Sequence, residues 1–158
     1  MMRKIHKVLM KLIEALLVII FALLTLDVVW QVVSRYLVGQ SSSFTEEFAR
    51  FALIWLTVLG AAYINGQVEG HLSMDFLLAK LPLKKQKRNH RVIQILMACF
   101  ALVVMVIGGI NLVYLTLSLG QVSPALNIPL GWIYTIVPLS GFIIIFFCFY
   151  HYKVTYKN

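Results

Sequence analysis

Four long apolar stretches occupy most of this chain, and they limit its folding more than any other feature. They run over about 8–35, 46–66, 92–119 and 129–151. A helix needs about 20 mostly apolar residues to cross a hydrocarbon core about 30 Å thick. Inside that core it satisfies each backbone N–H and C=O within itself. Hydrophobic residues make up 61% of the 158 positions and charged residues 13%, about half the usual share in soluble domains. Little sequence is left for a domain in water. The expected fold is an all-α integral membrane protein, a single membrane domain over 1–158 with four transmembrane helices.

The charges set an orientation. The net charge is +8, a value that would suit a nucleic-acid binder if it were clustered on a soluble face. It is not. Arg3, Lys4, Lys7 and Lys11 open the first span; Lys80, Lys84, Lys85, Lys87, Arg88 and Arg91 lie between the second and third; Lys153 and Lys157 follow the fourth. Of the 14 Lys and Arg residues, only Arg35 and Arg50 flank the other side. Positive charge marks cytoplasmic loops, so both termini are expected inside. Nucleic acid is not an expected partner; membrane phospholipid is. The first apolar run is too long for a signal-peptide core and no small-residue cleavage site follows it, so it reads as a retained helix. Cys99 and Cys148 both fall within spans, without disulfide or metal spacing, and read as packing residues.

Polar residues inside the spans carry most of the remaining information. Asp27, Gln31 and Ser34 recur at i, i+4, i+7, one face of the first helix. Such a stripe avoids lipid and faces protein or water. Gly108, Gly109 and Asn111 in the third span offer close approach and an interhelical hydrogen bond, and Asn111 or a residue of a partner chain is expected to complete a packing network with Asp27. At the outer end of the second span, Ser43-x-x-Glu46 has the capping-box pattern, and Arg50 is within one turn of Glu46 and Glu47. These three residues either cap the helix or meet a partner. The outer loop from Gly120 to Pro129 is uncharged and holds two prolines. Its Ser123, Pro124, Ile128 and Pro129 suit docking against another protein as well as they suit a tight connection. The inner loop carries Met74, Leu77, Leu78 and Leu81 at helical spacing, which predicts a short amphipathic interfacial helix over about 73–81, stopped by Pro82. Lys84, Lys85, Lys87 and Arg88 follow as headgroup contacts. Pro138, one turn before Gly141, is expected to kink the fourth span.

Taken in order, these pieces resemble a known family. Glu46-Glu47, Arg50, Trp55, Gly60-Ala61-Ala62, Gly70-His71-x-x-x-Asp75, Leu81-Pro82, Ser123-Pro124-Ala125-Leu126-x-Ile128-Pro129 and Pro138 are similar to the small membrane subunit of tripartite ATP-independent periplasmic (TRAP) transporters, the DctQ-like family, closest to its sialic-acid branch. The resemblance covers nearly the whole chain. It implies a bacterial inner-membrane scaffold with two protein partners. One is a large multispan subunit, expected as a separate chain because this one ends at Asn158. The other is a periplasmic substrate-binding protein that captures an organic acid, which the large subunit carries inward with sodium. Neither the residues nor the resemblance points to catalysis, a cofactor or a metal.

Two rivals are weaker. A small proton-coupled exporter also has four spans, but Glu14 lies too near Lys11 and the interface to carry protons at mid-membrane. A haem-holding anchor needs histidines facing each other within the bilayer, whereas His6, His71, His90 and His151 all fall at inner ends. The topology makes a direct prediction. In intact cells an impermeant thiol reagent labels the single-cysteine variants Gln40→Cys and Ser123→Cys but not Gln86→Cys; labelling at 86 overturns the orientation.

Overall fold

The computed structural model of the protein describes residues 2–39, 42–67 and 83–157. The expected interfacial helix at 73–81, with His71 and Asp75, lies outside them, as do the side chains of Lys84, Lys85 and Lys87. The helices are α1 (Met2–Val38), α2 (Ser43–Gly66), α3 (Leu83–Phe100), a π-helical segment (Ala101–Gly108), α4 (Gly109–Ser118), α5 (Leu130–Tyr134) and α6 (Ile136–Lys157). α3, the π segment and α4 run on as the third span; α5 and α6 make the fourth. Four helices are long and apolar enough to cross a membrane, and no strand occurs among the described residues. The cluster from Lys84 to Arg88, expected as loop, sits in the first turns of α3 instead. Lys, Gln and Arg are good helix formers, so nothing there stops the helix from starting early.

α1 and α2 pack along matched seams. Every residue of the α1 series His6, Met10, Ile13, Leu17, Ile20, Leu24, Asp27, Gln31, Ser34 is buried or half-buried. So is every residue of the α2 series Thr45, Phe48, Ala52, Trp55, Leu59, Ala62, Gly66. Both series alternate steps of three and four, a mean of 3.5, which keeps one apolar seam toward a neighbouring helix. Ile13 and Leu59 meet Ile136 and Phe147 in one cluster; Ala62, Ala101, Ile144 and Cys148 form another. The first span packs on the second, the second on the fourth, and the third on the fourth. The second and fourth are therefore central, and the first and third form the edges.

Lipid tails are as apolar as leucine, so helices associate in a membrane through close packing and hydrogen bonds. Small residues create that closeness between the third and fourth spans. A Cβ on Gly109 would lie 2.9 Å from Pro138 Cδ, and one on Gly141 would lie 2.9 Å from Met105 Cβ and 3.3 Å from the Ala101 carbonyl. Gly109 thus packs on the fourth span rather than opening the third toward Asp27, and Gly108 is exposed. The network expected between Asp27 and the Gly108–Asn111 stretch does not form, because the first and third spans sit at opposite edges.

The π segment explains how Ala101 and Val106 are both buried. Its i→i+5 winding stacks residues five apart on one face, whereas an α-helix would turn one of them away. The fourth span is interrupted at Thr135, between α5 and α6. The break precedes Pro138 because proline has no N–H to return to the Tyr134 carbonyl and its ring crowds that turn.

Two glycines test this packing in opposite directions. Gly141→Ala forces its methyl against rigid neighbours and should destabilise by about 1–3 kcal/mol. A Cβ on Gly60 meets nothing within 4 Å, so Gly60→Ala should be neutral or stabilise by up to about 1 kcal/mol through helix propensity. Thermal unfolding in detergent ranks the two; equal melting temperatures would show that the third and fourth spans are not in close contact.

Candidate functional site

The polar chemistry of the chain gathers at the two ends of α2. At the N-terminal end, helix α2 starts at Ser43 with Ser42 as its cap, and no side chain of that cap bonds the helix. The expected Ser43–Glu46 capping box is therefore absent. Thr45 instead returns its hydroxyl to the Ser42 carbonyl at 2.8 Å. Glu47 reaches across to the loop between α4 and α5. One oxygen, Oε2, accepts from the Ser123 hydroxyl, from Ala125 N–H at 3.1 Å and from Leu126 N–H at 3.3 Å. Arg50 adds a weaker attraction to the same carboxylate. Glu47 caps a loop, not its own helix.

That loop is built to be held. Gly120 (φ +59°) closes α4, with Gly120 N–H on the Leu117 carbonyl and Gln121 N–H on that of Thr116, the paired closure of a Schellman motif. Val122 and Pro129 face each other across a single antiparallel bridge. Ser123 N–H donates to the Ile128 carbonyl at 3.0 Å, and Asn127 N–H to the Ser123 carbonyl at 2.9 Å. Asn127 takes the left-handed backbone (φ +52°) that closes the turn, a conformation asparagine tolerates better than most residues. Ser123 is 0% exposed, so it is an anchor and a poor labelling position; exposed Asn127 is the better one. Pro124, Ile128 and Pro129 remain on the surface, beside Val122 and Trp132.

The C-terminal end of α2 is fastened differently. The last carbonyls of a helix lack intrahelical partners. Here His6 Nε2 lies 2.9 Å from the Gly66 carbonyl, and His151 Nε2 lies 3.1 Å from that of Asn65. A carbonyl only accepts, so both rings carry their proton on Nε2. His6 also stacks on Tyr150 with centroids 4.2 Å apart. The Asn65 side chain is 1% exposed; it donates to Met97 Sδ at 3.4 Å and accepts from Cys148 Sγ at 3.7 Å. Two consecutive residues thus touch all four spans. Between the ends, Trp55 donates to the Ile133 carbonyl at 3.0 Å, beside the break in the fourth span.

The remaining expected residues fall as follows. Asp27 is half-buried on the α1 seam and accepts from Gln31 Nε2 at 2.8 Å; Ser34 donates to the Gln31 carbonyl at 3.0 Å. Asn111 and Arg88 are exposed, and of the two cysteines Cys148 is buried while Cys99 is exposed, against the expectation that both pack. His6, Asn65, Gly66 and His151 were missed. Asn65-Gly66 closing an apolar run is a recognisable stop signal, but nothing local names its partners.

Residues 24–156 match the DctQ component of the tripartite ATP-independent periplasmic transporters. The chain belongs to this family. It is 30% identical over 146 residues to a TRAP transporter small permease protein of Haemophilus influenzae, covering 91% of this chain and 87% of that one. It is 31% identical over 125 residues to the ectoine TRAP transporter small permease TeaB of Halomonas elongata, covering 77% and 62% respectively. It is 27% identical over 131 residues to the isethionate TRAP transporter permease DctMQ of Oleidesulfovibrio alaskensis, matching 82% of this chain but only 20% of that longer protein. The chain is accordingly a multi-pass membrane protein and a small permease component of a transport system.

The brace at Glu47 predicts graded damage. Glu47→Ala leaves the Ala125 N–H without an acceptor and Leu126 N–H with only the Ser123 hydroxyl at 3.4 Å, and should cost about 1–3 kcal/mol. Glu47→Gln keeps an acceptor oxygen and should cost less. Detergent melting and protease cleavage within 122–128 check this; a Glu47→Ala protein with wild-type melting and cleavage would show that the brace does not hold the loop.

Proposed function

We infer that the chain is the fixed scaffold subunit of a sodium-driven TRAP transporter in the bacterial inner membrane, with both termini in the cytoplasm. It anchors and widens the stationary part of a large permease subunit, and its outer loop helps receive a periplasmic substrate-binding protein. The Glu47 brace carries this reading. It fixes an uncharged, apolar-tipped loop at the outer surface, and a rigid surface loses little entropy when a partner docks. The fused DctMQ relative supports a large subunit as the partner. Glu47 thereby acts through the loop: it is a positioning residue, with Ser123 beneath and Pro124, Ile128 and Pro129 offered above. Lys84, Lys85, Lys87 and Arg88 steady the inner end against anionic headgroups.

The transported solute is a small organic acid. Sialic acid is the first candidate from the resemblance, with a C4-dicarboxylate next; that relatives are named for ectoine and isethionate supports a choice of solute made outside this subunit. The spans support that division of labour. Transport sites use broken helices and convergent polar groups near the midplane, and here most polar contacts between spans fall at the ends of the second span and fasten the fold, while Asp27 bonds only Gln31 of its own helix.

Reconstituted alone, the chain should give no sodium-dependent uptake of sialic acid. Together with its large subunit and loaded binding protein it should. Uptake by the chain alone would end the scaffold reading, and Glu47→Ala should slow the complete system more at low binding-protein concentration than at saturation.

A further inference from the structure

The outward face of the third span holds a group that lipid cannot satisfy. Asn111 lies seven residues before the end of α4 at Ser118, roughly 10 Å below that end at 1.5 Å per residue. Its side chain is exposed and has no hydrogen-bond partner among the described residues. It is too short to reach the interface from that depth, as lysine or arginine would. Exposed Gly108 is one turn away, and a Cβ there would meet only the Val103 carbonyl at 3.7 Å, so the surface beside the amide is open to close approach. Around the pair lie Val104, Ile107 and Leu115, all about half exposed. The opposite edge differs. Asp27, Gln31 and Ser34 of α1 lie on its seam. Of its exposed polar residues, Thr25 returns its hydroxyl to the Phe21 carbonyl at 2.8 Å and Glu14 sits within a turn of Lys11, while Leu26, Val29 and Trp30 give the rest of the outer half an apolar surface.

We propose that the Gly108–Asn111 face of the third span is the docking surface for a transmembrane helix of the large permease subunit, a proposal that rests on the function inferred above. The occupant is a helix because acyl chains cannot bond an amide, whereas small residues and amides together join helices in membranes. It belongs to a larger chain because the DctMQ relative ties a segment matching this one to a protein of which that segment is only 20%. The partner helix presents a small residue opposite Gly108 and a hydrogen-bonding group opposite Asn111. The outward face of α1 is left to lipid.

The test co-expresses the chain with its large subunit. Wild type should recover the large subunit in detergent. Asn111→Leu should lower that recovery by roughly three- to fifteen-fold, the range of one interhelical hydrogen bond; Gly108→Leu should lower it further, and Asn111→Gln should restore part of it. Melting of the Asn111 variants in isolation should be unchanged and that of Gly108→Leu unchanged or slightly raised by helix propensity, since both positions face outward. A photo-reactive residue replacing Ile107 should form an adduct with the large subunit, whereas one replacing Leu26 should not. If wild type recovers no large subunit, the scaffold reading fails and this proposal with it. If wild type recovers it but the variants recover as much, and adducts arise from 26 or join two copies of this chain at 107, the scaffold reading survives and the face is wrong.

Discussion

A polar group in hydrocarbon must find a partner within the protein, and that requirement organises this molecule. Helices meet most of it internally, but each helix end leaves carbonyls or amides over. The chain concentrates its side-chain hydrogen bonding where those groups fall. Asn65 and Gly66 hand their carbonyls to two imidazoles from the first and fourth spans. Glu47 gathers the free amides of a loop from the far side of the sequence. Between these fastenings the spans meet through heptad seams and close glycine contacts. Those contacts supply adhesion but little directional preference, so the polar ends set the register.

The same economy separates support from transport. A moving carrier needs helices that open at the midplane; among the described residues the α-helical winding of the spans departs only at Thr135, where Trp55 bonds the neighbouring Ile133 carbonyl, and in the π segment, whose extra breadth serves packing against Gly141. Placing the central second and fourth spans between two edge helices leaves broad flanks. The outer half of the first span's flank is mostly apolar and the third span's flank bears the Asn111 amide, the difference on which the proposed division into a lipid side and a protein side rests.

Much of this was legible in the sequence, and the rest failed for physical reasons. The four spans follow from apolar runs whose length the bilayer dictates. Asp27, Gln31 and Ser34 gave three positions of a nine-residue seam, because only polar members stand out against an apolar background. Glu46 and Glu47 drew attention as a pair, but the Ser43-x-x-Glu46 pattern pointed to a local cap. The acceptor in use, Glu47, serves Ser123, which is 76 residues away. Periodicity reports on neighbours within a turn or two; it carries no information about which loop folds over which helix end. The π segment left no trace, since its residues are as apolar as those of any α-helix and its effect is to shift a face rather than to change composition.

The separations across these fastenings also imply an order of assembly. His6 and Gly66 are 60 residues apart and lie within the first helical hairpin, so that bond can close as soon as two helices have entered the membrane. Glu47 must wait at the opposite membrane surface, solvated by water, until the second hairpin delivers Ser123 and the amides behind it. Asn65 must wait longer still, for Cys148 and His151. The last helix to leave the ribosome therefore completes both the second hairpin's packing and the inner junction. A chain truncated or stalled before it would leave the side-chain and backbone carbonyls of Asn65 without their Cys148 and His151 partners, the kind of polar defect that membrane quality control has the means to recognise.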